Sequence, residues 1–342
     1  MKKINWGIIG LGNIAKSFSE GFFEANNSKL LAVSSLNQQK KNFFKQKFKI
    51  NEKFIFKNYE DLLDCEEVDV VYITLPNSFH YQWIDKCIEK NKNILVEKPA
   101  FIREENAKNI FKKIQSKNLF FSEGYMYRYN PLIYKLVEII KNEELGKMIS
   151  MKSNFCKNIL TKKKFIFFEK RRKIDENSRL FNKQLGGGCI LDLGCYPISL
   201  TLLIASLFRD LDINNFELKN IKKEIGITNV EIDAEIELIF ENGFTSKVKA
   251  SFKNSTGSDT IIFFEKGYVK IKNTWIGDTE ILKFSNGKKE LLKNNVNKNI
   301  YSYEIVEVSK SILENRNKPC FPGTTIYETV LNTKILESWV NA

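Results

Sequence analysis

Residues Leu185 to Pro197 read "LGGGCILDLGCYP", three glycines followed by Asp192 and Tyr196 at a four-residue interval. That interval puts two side chains on one face of a helical turn. Glycine lets backbone turn tightly or lie against a ligand. A carboxylate and a phenol so placed can orient a hydroxyl and exchange its proton. The same residues admit a packing reading, with Gly186 to Gly188 marking a helix start, Asp192 near the helix amino end and Tyr196 half buried. A second stretch, "INWGIIGLGNIAKSF", sets Gly10, Gly12 and Ala15 as G-x-G-x-x-A after a short apolar run. Glycine at a strand-to-helix turn can serve packing alone. At the first such turn, however, backbone amides and the helix amino end can hold a pyrophosphate, which favours dinucleotide binding.

These groups need elements to carry them. After the glycine turn, "KLLAVSS", "DVVYITLPN" and "NILVEKP" read as strands separated by amphipathic segments such as "YQWIDKCIEKN". Alternating β and α units give an α/β class with a parallel, doubly wound sheet. Past residue 123 the pattern changes to turn signals in "ENGF", "EKGY" and "SNGK", flanked by "EIELIF", "SKVKASF" and "YVKIKN". These are hairpin signatures, and helices near 301–314 and 325–340 close the chain. The expected division is therefore a dinucleotide-binding domain over 1–123 and a second α/β domain over 124–342, built on a largely antiparallel open sheet. At the end of the second strand, where an acidic residue normally grips the ribose, the sequence reads Ser34, Ser35, Leu36, Asn37, then Lys40 and Lys41. A serine with nearby ammonium groups tolerates a 2′-phosphate, so NADP is expected ahead of NAD. A solvated helix face is the plainer reading of the two lysines.

The 342 residues, 43% hydrophobic and 13% aromatic, supply two sizeable cores. The longest apolar run, "LTLLIASLF", falls short of the roughly 20 residues a membrane helix needs, and the amino end is broken by glycines where a signal peptide would be continuous. A cytoplasmic protein without membrane partners is expected. Six cysteines form no C-x-x-C pair and the single histidine, His80, cannot complete a Cys/His cluster, so reduced thiols and no metal are expected. The formal net charge of +13 is carried mostly by dispersed lysines, with only seven arginines. Without an Arg-rich helix or a binding module, nucleic acid is not expected as a partner.

Three separated segments, "GIIGLGNIA", "LPNSFHY" through "VEKPA", and "GGGCILDLGCYP", together resemble the glucose-fructose oxidoreductase, inositol dehydrogenase and rhizopine-catabolism (Gfo/Idh/MocA) family. The branch with dihydrodiol and sugar dehydrogenases, which places Tyr where inositol dehydrogenases place His, is most similar, and "EGYMYRYNP" and "SRLFNKQLGGG" support it. The resemblance implies a Rossmann domain followed by an α/β domain whose open sheet forms a homodimer or homotetramer interface. It implies catalysis by Lys98, Asp192 and Tyr196. The cofactor would lie over Gly10, Gly12, Asn13, Ile14, Ser35, Lys40, Thr74, Pro76, Asn77, His80, Glu97 and Lys98. The Lys98–Pro99 bond is often cis in such proteins. The implied substrate is a sugar, cyclic polyol or related diol, with a catalytically silent dinucleotide sensor as the alternative.

Hydride transfer between a carbinol carbon and nicotinamide requires proton movement at the oxygen. A tyrosine starts at a pKa of about 10. An ammonium about 4 Å away contributes on the order of 4 kcal/mol at an effective dielectric of 20, roughly three pKa units before desolvation opposes it. Lys98 could thus bring Tyr196 towards neutrality. His80 is the rival proton carrier, but its place where a strand passes into a helix suits capping or packing beside the cofactor. Asp192 suits orienting the substrate hydroxyl or Lys98, and Glu97 suits holding Lys98 or a ribose hydroxyl. Arg128 and Arg179 could each bind substrate oxygens or form buried ion pairs. The glycines of the opening stretch would let backbone close over the cofactor edge.

Overall fold

The structure is a computed structural model that describes residues 2–165, 168–254, 257–276, 279–293 and 299–342. It falls into two compact units, one of Met1–Asn130 with Val296–Thr333 and the other of Pro131–Asn295 with Lys334–Ala342. The chain thus returns to the first unit after building the second, where the sequence reading carries 124–342 as one block. Local periodicity holds no record of that return.

The first unit is a six-stranded parallel sheet in the order β3-β2-β1-β4-β5-β6. Its strands are β1 (Ile4–Ile9), β2 (Ser28–Ser34), β3 (Ile55–Phe56), β4 (Val70–Ile73), β5 (Asn93–Glu97) and β6 (Phe121–Gly124). The crossovers are α1 (Asn13–Glu20), α2 (Gln38–Phe48), α3 (Tyr59–Asp64), α4 (His80–Glu89) and α5 (Glu104–Lys117). β4 is buried along its whole length, as expected of a strand covered by helices on both faces. Short polar residues start two of these helices: Asn37 caps α2 by accepting from Lys40 N, and Asn58 caps α3 by accepting from Asp61 N.

In the second unit α6 (Pro131–Lys141) precedes β7 (Met148–Cys156), the hairpin β8 (Thr161–Phe165) and β9 (Phe168–Arg171), and α7 (Cys195–Ala205). β10 (Phe216–Ile225), β11 (Glu231–Phe240), β12 (Thr245–Ser251), β13 (Thr260–Phe264), β14 (Gly267–Lys272), β15 (Glu280–Ser285) and β16 (Lys288–Lys293) complete it. Eight strands pair in the order β10-β11-β12-β7-β13-β14-β15-β16, all antiparallel except β7 with β12. The Asn-Gly turn between β15 and β16 has Asn286 at φ 50° and Gly287 at φ 73°, the two positive values such a tight turn needs. Beneath the sheet α7 is buried on every side, which explains an apolar sequence with no polar face. One helical run, Lys183–Ala205, is long and apolar enough to cross a membrane, contrary to the expectation from sequence, yet its most apolar stretch is wholly buried in the protein. α8 (Ile300–Leu313) rejoins the first unit, and α9 (Ile326–Asn341) ends the chain.

Candidate active site

At the β1–α1 turn Gly10 has φ +85°, and its amide donates to Ser34 O at 3.0 Å. A Cβ on Gly10 would stand 2.8 Å from Leu75 Cδ2 and 3.1 Å from Thr74 O, so only glycine lets the β4 turn lie this close. Gly12 differs, because a Cβ there would meet nothing within 4 Å. α1, which begins with Asn13 and Ile14, has no acidic residue in its first turn and no side-chain cap. Its first amides and its positive end are therefore left to an anion or water. At the end of β2, Ser35 is buried and its Oγ accepts from Asn37 N at 3.2 Å, while Leu36 is 79% exposed. Lys40 projects into solvent, whereas Lys41 is buried, so the two lysines do not share one solvated face.

The turn after β4 is bound to the glycine turn. Thr74 Oγ1 donates to Ile9 O at 3.2 Å and to Gly10 O. Pro76 then precedes a short helical turn, Asn77–Phe79, with Asn77 buried. His80 is fully buried, with Nδ1 2.9 Å from Pro99 O and Nε2 2.8 Å from Leu75 O. Both ring nitrogens engage carbonyl oxygens, so the ring braces two turns. The Lys98–Pro99 peptide is cis. Glu97 accepts from the hydroxyl of Tyr72, whose ring stacks on Phe18 at 3.9 Å. Beyond Lys98, Ala100 N donates to Glu123 Oε1 at 2.9 Å.

Three buried groups behind Lys98 escape the sequence reading: Tyr72, Glu123 and Glu304. Their only trace is a polar residue inside an apolar run, in "VVYITL" and "LFFSEGY", and in α8 for Glu304. Burial pushes the Glu123 carboxyl up to about 7. Burial, then the neighbouring charge of Glu97, holds the Glu304 carboxyl well above the usual range, and the same two causes raise the Tyr72 phenol. Arg128 is fully buried; NH1 donates to Glu328 Oε1 at 2.8 Å and Pro322 O at 3.1 Å. Burial opposes its charge, but Glu328 and Tyr127 together outweigh burial and keep the guanidinium firmly protonated. Of the two uses read from sequence, this placement gives Arg128 the buried ion pair.

In the second unit Arg179 NH1 reaches Asp192 Oδ1 at 3.0 Å; the Arg179 side chain is 52% exposed and Asp192 is buried. The glycines serve this loop. A Cβ on Gly187 would fall 2.8 to 2.9 Å from the carbonyls of Leu180, Arg179 and Asn182, and one on Gly188 (φ +105°) 2.5 Å from Glu231 Oε2. Close packing against the protein's own carbonyls and Glu231 is thus reason enough for glycine at 187 and 188, the packing reading offered by the sequence. A wide π-helical turn, Ile190–Gly194, then passes into α7 at Cys195. The chain is helical throughout, so the four-residue interval keeps Asp192 and Tyr196 on one side. Tyr196 is buried, its ring edge-on to Phe155 at 5.1 Å and 5.8 Å from Trp275. Trp275 Nε1 donates to Asn154 O at 2.9 Å, which fixes the indole. Lys98 belongs to the first unit, and Asp192, Tyr196 and Arg179 to the second.

Residues 4–125 match the Gfo/Idh/MocA oxidoreductase family's NAD-binding Rossmann fold, and residues 133–270 match the family's C-terminal domain. The chain belongs to the Gfo/Idh/MocA oxidoreductase family. A family member, glucose-6-phosphate 3-dehydrogenase of Bacillus subtilis, is 30% identical over 251 residues, covering 72% of this chain and 68% of that protein. The NADP(+)-dependent D-xylose 1-dehydrogenase of Hypocrea jecorina is 28% identical over 208 residues, 57% of this chain. That match spans about half the relative's length, 51%. Among solved structures, the aldose-aldose oxidoreductase from Caulobacter crescentus complexed with glycerol has the same fold, with a TM-score of 0.85 at 18% identity over 100% of this chain and 97% of that one.

Proposed function

We propose that this Gfo/Idh/MocA protein is an NADP-preferring dehydrogenase or reductase acting on a hydroxyl or carbonyl carbon of a sugar, cyclic polyol or related diol. One observation carries the reading. The glycine turn and the turn bearing Lys98 form one bonded edge of the Rossmann sheet, running from Gly10 through Thr74 and Leu75 to His80 and Pro99. The open space at Gly12 and the uncapped start of α1 suit a pyrophosphate. Ser35 and Lys40, with no carboxylate from Ser34 to Lys41, suit a 2′-phosphate. The NADP(+) dependence of the related D-xylose 1-dehydrogenase supports this preference.

When bound, nicotinamide supplies the hydride donor or acceptor. This chain's residues handle the proton. Tyr196 exchanges it with the substrate oxygen, and the Lys98 ammonium stabilises the phenolate. Asp192, held by Arg179, orients the substrate hydroxyl. Phe155 and Trp275 hold the Tyr196 ring. Asn13, Ile14, Pro76, Asn77 and Glu97 line the cofactor, and His80 braces the turns beside it. The eight-stranded sheet of the second unit carries the homodimer or homotetramer contact.

Two titrations test the reading. NADPH should quench protein fluorescence at lower concentration than NADH, and a panel of aldoses and polyols should contain one that changes absorbance at the nicotinamide band. Binding without turnover of any substrate would make the protein a dinucleotide sensor. Absence of nucleotide binding would reject the proposal.

A further inference from the structure

We propose that Glu123 is a positioning residue for Lys98: its buried carboxyl grips the Ala100 amide, and its protonation state sets how tightly the turn presenting the lysine is held. The proposal rests on the reading of Lys98 given above. Glu123 closes β6 beside β5 and is 1% exposed. Its Oε1 accepts from Ala100 N at 2.9 Å, two residues past Lys98, while His80 Nδ1 lies 2.9 Å from the intervening Pro99 carbonyl. The turn is thus held from both sides, by one imidazole and one carboxyl.

A mere spacer would not need an acid here. Oε2 is buried without a hydrogen-bond partner among the described residues, as is the hydroxyl of Thr329 on α9, which faces this carboxyl. The other groups that face Glu123 are Tyr125 and Arg128, just after it in the chain. Glu97 and Lys98 lie at the end of adjoining β5, and Glu304 approaches the neighbouring Gly124 from α8. Arg128 is already engaged by Glu328 and Pro322 O, so it attracts the Glu123 charge without neutralising it. Burial raises the carboxyl to about 7, against the opposing pull of Ala100 N, Thr329, Tyr125 and Arg128. In the neutral form a carbonyl oxygen holds the amide and the acid proton sits on Oε2. Ionisation converts the grip on Ala100 into a charge-assisted bond, roughly twice as strong. A tighter turn fixes Lys98 better, so turnover should rise with ionisation.

Glu123→Gln keeps an acceptor and removes the titration; Glu123→Leu removes both. In wild-type protein, hydrogen-exchange protection of the Ala100 amide should increase between pH 6 and 8, after correction for intrinsic exchange. Glu123→Gln should show no such increase. Glu123→Leu should exchange that amide about tenfold faster or more. In turnover, Glu123→Leu should lose about ten- to a hundredfold in kcat with the NADPH Kd within about twofold, and Glu123→Gln should lose the step in kcat near pH 7. If Glu123→Leu fails to fold, the exchange and pH profiles of Glu123→Gln decide. A pH-dependent protection or a kcat step that survives in Glu123→Gln overturns the proposal. If wild-type protein turns over no sugar, the functional reading fails while the exchange measurements still decide the role of Glu123.

Discussion

Replacing Arg128 by Met should be among the most damaging single substitutions in the first unit, and its cost can be worked from the ion pair it breaks. The arginine side chain is 1% exposed and its partner Glu328 is 13% exposed, with 2.8 Å between NH1 and Oε1. Removing the cation strands a nearly buried carboxylate, which typically costs about 3–5 kcal/mol. It also removes the donor to Pro322 O, worth about 1 kcal/mol or more for a buried carbonyl. Glu328 keeps its bonds from Thr325 N and Oγ1, so helix α9 remains capped and the loss should fall at the pair. We expect a loss of about 4–6 kcal/mol from the urea midpoint of the first unit's transition. In the Arg128→Met/Glu328→Gln protein no charge is stranded, and about 2 kcal/mol should return. A double variant as unstable as the sum of its singles would refute the reasoning, as would a silent Arg128→Met.

Further outcomes follow from the same contacts. Gly12→Val should fold normally, because its side chain meets open space, yet should weaken NADPH binding about a hundredfold by fluorescence titration; Gly10→Ala, strained at φ +85° and pressed on Thr74 O, should instead lose about 1–2 kcal/mol of stability in thermal melts. Ser35→Asp places a carboxylate at the end of β2 and should reverse the preference between NADPH and NADH in paired titrations. Glu123 has its native pKa raised from 4.5 to about 7, so the stability it contributes is fully present below about 4.5 and is lost as pH rises through 7. Relative to Glu123→Gln, wild-type protein should therefore lose about 3 kcal/mol between pH 4.5 and 9, measured by denaturant titration.

The Rossmann unit was legible because each of its signals is local: an apolar strand, a glycine turn, a helix-period segment, repeated. The hairpins of the second unit were legible for the same reason, since Asn286 and Gly287 announce their own turn. Contacts between residues far apart in sequence were not. Nothing near Arg128 foretells Glu328, 200 positions on, and nothing near Lys98 foretells that His80 and Glu123 will hold the peptide groups that follow it. The packing role of Gly187 and Gly188 was hidden for a related reason. Their neighbours are the carbonyls of Arg179, Leu180 and Asn182 and the carboxylate of Glu231, brought in by a loop and by a strand more than 40 residues away. A carboxylate pressed on Gly188 and the phosphate proposed to lie at Gly12 call for the same residue. Only coordinates distinguish them.

The most direct test of the account is a single-turnover measurement with bound NADPH and a carbonyl substrate in wild-type, Tyr196→Phe, Lys98→Met and double-variant proteins. Each single variant should slow the reaction about 10²- to 10⁴-fold with nucleotide affinity within about twofold, and the double should be little worse than either single, as for groups acting as a unit. Wild-type rates in Tyr196→Phe, or fully multiplicative losses in the double variant, would contradict a lysine and a tyrosine that share one proton.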